Sequence, residues 1–163
     1  MNILKVYKKI VDFASDIIYI FAILYALVHA PMLLGHNPVV INPDSPMLPT
    51  LKAGSIVYYT KEPESNLEKY NMIAFSYDDE KEIHVSRIES NNNGKIQTKA
   101  DGNENPDSKL IEYSNIKGKV SNVFVPFLGY MVEYVNNNMY IIVCAILILI
   151  SEFILDSLKC FRK

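Results

Sequence analysis

Ser45 and His84 are the two residues of this chain whose types suit acyl-transfer chemistry. Ser45 lies in Pro43-Asp44-Ser45-Pro46-Met47-Leu48-Pro49-Thr50, and His84 in Glu82-Ile83-His84-Val85-Ser86-Arg87-Ile88. A serine hydroxyl is a weak nucleophile until a base takes its proton, so the pair matters only if the fold brings it together. His84 is the only histidine away from the first apolar segment, which holds or adjoins His29 and His36. Lys95 and Lys99 are alternative bases if buried. A third group that orients the base is offered by Asp101 or Asp107, in the polar stretch Thr98 to Asp107. Each feature also has a plain structural reading: proline-pinned turn, tolerated strand histidine, and Asx-rich loop. No metal-ligand spacing and no glycine-rich phosphate loop is present.

The elements that must hold these residues are two apolar ends and a polar centre. Ile17 to Leu34 carries no Lys, Arg, Asp or Glu; Met139 to Ile150 is equally apolar and continues past Ser151-Glu152 into Phe153-Ile154-Leu155. Each is about long enough to cross a bilayer as a helix. Lys5, Lys8 and Lys9 precede the first, and Lys159, Arg162 and Lys163 follow the second. Positive flanks stay on the cytoplasmic side, which predicts both termini inside and the centre outside. Pro31 after His29-Ala30 opposes leader cleavage, so the first block reads as an uncleaved anchor. The expected division is 1–35 as basic tail and first span, 36–138 as the outer domain, and 139–163 as second span and basic tail.

The outer segment holds 10 Lys or Arg against 14 Asp or Glu, a net of −4, and no basic patch that would suit nucleic acid. It has no cysteine, hence neither a disulfide nor a thiol nucleophile. Val39 to Ile41, Ser55 to Thr60, Met72 to Tyr77, Ile83 to Ile88, Ile96 to Lys99 and Lys119 to Val125 are β-branched or aromatic runs bounded by turn residues. Asn91-Asn92-Asn93-Gly94 marks a hairpin. Alternation puts His84, Ser86 and Ile88 on one strand face and Ile83, Val85 and Arg87 on the other. No helical periodicity of useful length is evident between the two ends. These signs predict a mainly β fold, a small antiparallel domain between two transmembrane helices.

In order along the chain, five segments resemble the type I signal peptidase family, in the branch of the endoplasmic reticulum and archaea. Ser45 to Thr50 is similar to its Ser-Met-x-Pro-Thr box, and Gly54-Ser55-Ile56-Val57 to its Gly-Asp-hydrophobic step. Ser86-Arg87-Ile88 resembles a His-Arg-hydrophobic strand, and Thr98 to Asp107 a Thr-Lys-Gly-Asp-x-Asn loop. Gly118-Lys119-Val120 with Pro126 to Tyr130 resembles the closing strand and Pro-x-Leu-Gly-Tyr.

The resemblance implies a membrane-bound serine endopeptidase that needs no metal or organic cofactor. Its partners would be membrane lipid and secretory or pilin-like precursors, cut after small residues. Ser45 would be the nucleophile, His84 the base, and Asp101 or Asp107 its support. A groove beside Ser45 would be lined from Val40, Ile41, Ile73, Phe75, Ile83 and Val85 and take the precursor as an added strand. In the family's register, however, Pro46 stands at the nucleophile position and Ser86 at the base position. That displacement implies the alternative of a family member that binds secreted or pilus subunits without cleaving them.

Overall fold

A computed structural model of the chain describes residues 3–77, 82–92 and 94–160. They divide into two compact units, Met1–Val28 with Val132–Lys163, and His29–Met131. The first contains helix α1 (Ile3–His29) and helix α3 (Met139–Cys160). The apolar stretches Lys5–Leu34 and Met139–Leu158 reach mean hydropathies of 2.2 and 2.5, with only 6% and 0% of those windows buried within the chain. Apolar helices that bury so little against their own protein are long enough to cross a membrane and suited to an apolar surround. Lys8 pairs with Asp156 across the two helices and with Asp12 at 3.0 Å on its own. Tyr25 OH donates to Asn136 Oδ1 at 3.1 Å.

The second unit is a curled seven-stranded sheet. Its strands are β1 (Asn37–Val40), β2 (Ile56–Thr60), β3 (Met72–Phe75), β4 (His84–Asn92), β5 (Lys95–Lys99), β6 (Ile111–Glu112) and β7 (Ile116–Val125). They lie in the order β1-β2-β7-β3-β4-β5-β6, every neighbouring pair antiparallel. The protein is therefore mainly antiparallel β, flanked by one N-terminal and one C-terminal helix of membrane-spanning length. The β4–β5 hairpin turns where Asn and Gly cluster: Asn92 pairs with Lys95, and Gly94 has φ +83°. Asn93 of that turn lies outside the described residues.

Both faces of the sheet are covered, and β3 shows it. Met72 and Ala74 pack with Ile41, Met47, Leu51, Val57 and Val85 on one side. Ile73 and Phe75 pack with Leu67, Ile88, Ile96 and Ile111 on the other. A strand covered on both sides reads as a continuous apolar run rather than an alternating one. That is why Met72-Ile73-Ala74-Phe75 is buried at all four positions.

Two elements depart from the expectation. Leu128–Asn137 forms a ten-residue helix, α2, in a stretch read as lacking helical period. Strand β6 is only two residues long, too short for any periodicity to mark.

Candidate functional site

The segment carrying Ser45 is a turn fixed at both ends. Ile41 N donates to Ser55 O at 2.8 Å, Ser45 N to Asn42 O at 3.0 Å, and Leu51 N to Met47 O at 3.0 Å. Met47 is 0% exposed and anchors the turn in the core, while Ser45 is half-buried beside it. Gly54 closes the β1–β2 connection with φ +72°, and a Cβ there would fall 2.1 Å from the Tyr130 ring. Gly129 N in turn donates to Gly54 O at 2.9 Å. The Pro126 to Tyr130 segment thus seals the strand pair next to the Ser45 turn.

His84 opens β4 opposite Phe75, the last residue of β3. Its ring lies 5.8 Å from Phe75 and 5.4 Å from Tyr77, centroid to centroid. This aromatic setting fixes the plane of the imidazole through packing.

A cleft of about 260 Å³ joins the two segments. Ser45, Pro46, His84, Ser86 and Asp107 all line it, together with Val40, Ile41, Phe75, Ile83 and Val85. It is smaller than the roughly 300–1,000 Å³ typical of drug-sized ligands and suits one or two side chains of an extended peptide. Among the described residues, the Ser45 hydroxyl makes no hydrogen bond, so it shares a cleft with His84 without being joined to it. The Ser45 amide is already bonded to Asn42 O and is not an oxyanion donor in this arrangement.

The two candidate aspartates separate. Asp107 lines the cleft, and Thr98 Oγ1 donates to its Oδ2 at 2.7 Å. Its other oxygen remains open to a second donor. Asp101 does not line the cleft, so of the two candidate supports only Asp107 stands there with Ser45 and His84. Arg87 Nε and Nη2 grip its two oxygens at 2.6 and 3.0 Å. Burial alone would raise the Asp101 pKa, but hydrogen bonds from Arg87 and Thr50 and the guanidinium charge outweigh it and hold the carboxyl below its ordinary value. Asp101 therefore ties the strand β4 to the turn that carries Ser45.

Because its folded pKa is depressed, Asp101 contributes stability above the unfolded value near 3.9, and that contribution is lost as pH falls through the folded value. Asp101→Asn should cost about 1–3 kcal/mol at neutral pH. The gap in thermal midpoint between variant and wild type should narrow as pH falls below the unfolded value and close beneath the depressed folded value. A gap that persisted there would mean the ion pair is not its source.

Gly102 braces the same turn from behind. Its N–H donates to Pro46 O at 2.8 Å, and an added Cβ would lie 2.7 Å from Pro46 O and 2.9 Å from Leu48 O. Both contacts are backbone, so the turn itself must move. Gly102→Ala should lower any activity of the site by roughly 10²-fold, the scale set by an ångström of misplacement. Unchanged activity would show that the Ser45 turn is not held by this contact.

Ile73 is not a groove residue. It is 0% exposed, in the core with Ile88 and Ile96, two residues inward from Phe75 on the same strand face. Lys95 and Lys99 lie on β5 and do not line the cleft. Among the described residues no group of His, Cys, Asp and Glu could hold a metal ion. The cleft also contains residues the sequence reading passed over: Asn42, Asp44, Tyr77 and Glu82. Asn42 Nδ2 donates to Glu82 Oε1 at 2.5 Å, bridging the Ser45 turn to the start of β4. Their proximity to Ser45 and His84 in sequence was the available signal. No protein-family model matches the chain, and no curated protein sequence matches it.

Proposed function

We propose that this protein is a membrane-anchored serine endopeptidase of the signal peptidase type, removing leaders from secreted precursors after small residues. The observation that carries this reading is the placement of Ser45, His84 and Asp107, from three separate segments, around one peptide-sized cleft. Ser45 Oγ attacks the scissile carbonyl while His84 accepts its proton. His84 then protonates the leaving amine, and water attacks the acyl-enzyme by the reverse proton path. Asp107 accepts a hydrogen bond from the imidazole and fixes its tautomer. Closure of the Ser45–His84 contact accompanies substrate binding, as catalytic hydrogen bonds often tighten only then. The test is incubation of the full chain in liposomes with a precursor carrying Ala-x-Ala at its processing site. Expected is one new N-terminus after the second alanine; an intact precursor would sink the endopeptidase reading.

A second reading is favoured by one specific observation. Pro46 and Ser86 line the cleft at the family's nucleophile and base positions, and neither can play those parts. On this reading the protein binds secreted or pilus subunits in the cleft and assists their assembly without cutting them. Binding of a precursor with no cleavage would select it.

The two spans are proposed to leave both termini cytoplasmic and the sheet outside, on the distribution of Lys and Arg. Protease added to the outer face of intact cells should cut the β domain and spare tags at both termini. Protection of the centre would reverse the orientation.

A further inference from the structure

The cleft has an electrostatic character that the chemistry of Ser45 and His84 does not use. Asp44, Glu82 and Asp107 contribute three carboxylates to its wall, and no lysine or arginine is among its described lining residues. None of the three carboxylates forms an ion pair among the described residues. Glu82 is held by the neutral amide of Asn42, and Asp107 by the hydroxyl of Thr98. The Lys109 ammonium sits 3.6 Å from the centroid of the Tyr77 ring, which lines the cleft, and makes no ion pair with these carboxylates among the described residues. A second observation points the same way. Ser86 is 5% exposed and lines the cleft, yet its hydroxyl has no hydrogen-bond partner among the described residues. The serine is largely buried, but its hydroxyl is open to the cleft and can accept from a ligand donor there.

Unpaired carboxylates and an unpaired hydroxyl, in a space of side-chain size, together match an ammonium or guanidinium. We propose that the cleft binds a lysine or arginine side chain of the bound peptide, close to the bond that Ser45 would attack. The inference rests on the cleft being a peptide site, and it adds a basic residue to the small-residue requirement. Asp44 and Glu82 are the specificity-determining residues, because they carry charge into the cleft and take no part in the proposed proton path.

The test measures binding, separately from cleavage, with the full chain in lipid nanodiscs carrying Ser45→Ala. Fluorescent Ala-x-Ala peptides would carry Lys beside the scissile bond, Gln there, or Lys about ten residues away. The adjacent-Lys peptide should bind about 10-fold tighter than the Gln peptide, the scale of a hydrogen bond to a charged group. Its advantage should shrink with added salt. The distant-Lys peptide should behave like the Gln peptide, which separates a local site from the net charge of −4 on the outer segment. Asp44→Asn with Glu82→Gln should bring the adjacent-Lys peptide to the affinity of the Gln peptide, both measured on that variant. Equal binding of the adjacent-Lys and Gln peptides would overturn the inference and leave the peptide site standing. Binding of none of the peptides would overturn both, and a preference that survives the double variant would show that these carboxylates do not set it.

Discussion

Ser45→Ala is expected to lower kcat/KM for precursor cleavage by on the order of 10⁴–10⁶-fold, the scale of deleting a serine nucleophile whose partners act as a unit. His84→Ala should cost about 10²–10⁴-fold, the usual contribution of a positioned general base. The double variant should be no worse than Ser45→Ala alone, because a base without a nucleophile has nothing to activate. Ser86→Ala should change cleavage little: its hydroxyl faces the cleft but lies outside the proposed proton path. The measurement is product formation from a purified precursor, with each variant's fold verified by its thermal midpoint. Reversal of the pattern, with Ser86→Ala inert and His84→Ala active, would move the proposed base from His84 to Ser86. Activity that survives every one of these changes would remove Ser45 from the chemistry.

The second large effect concerns Pro46→Ser combined with Ser86→His. Both positions line the cleft that holds Ser45 and His84, so the exchange rebuilds a serine and a histidine within the same walls. Pro46 uses its carbonyl, not its ring, to receive Gly102 N–H, and a serine keeps that carbonyl. Releasing the ring's restraint on φ costs roughly 0.4–1 kcal/mol. Ser86 is 5% exposed, so an imidazole must enter the cleft or overpack the strand, at about 1–3 kcal/mol. A folded double variant is therefore expected. If the parent cleaves, the variant should lose most of that activity, because Pro46→Ser and Ser86→His disturb the turn and wall that hold the working pair. If the parent is inert, gain of cleavage would show a scaffold that retained its geometry after its nucleophile and base were displaced. An inert parent and an inert variant would leave peptide binding as the activity of the cleft.

Much of the architecture was legible in residue order. The apolar ends announced two helices because a membrane-length run without charge has few other uses. β-Branched runs between Asn, Gly and Pro clusters announced strands, and Asn91 to Gly94 announced the one hairpin with a local signature. Ser45 and His84 were legible as candidates for chemistry because a serine in a rigid turn and an isolated histidine on a strand stand out between the apolar ends.

Other assignments depended on distance through space. Ile73 and Phe75 were both expected to line the groove, but residue type carries no information about depth along a strand. Phe75 ends β3 at the cleft, whereas Ile73 lies under Ile88 in the core. Asp101 and Asp107 are equivalent in composition and loop setting. Only the folding of β4 against the Ser45 turn gives Asp101 to Arg87 and Thr50 and leaves Asp107 at the cleft. The helix Leu128–Asn137 was missed for a different reason: Leu128, Met131, Val132 and Val135 do recur at helical spacing, but over only ten residues between a strand and the second apolar run. The sequence by itself determined which residues are apolar, which turn, and which carry reactive groups, because those are properties of single residues and their near neighbours. Tertiary structure decided which reactive groups share a cleft, because that depends on strand order and register between segments far apart in the chain.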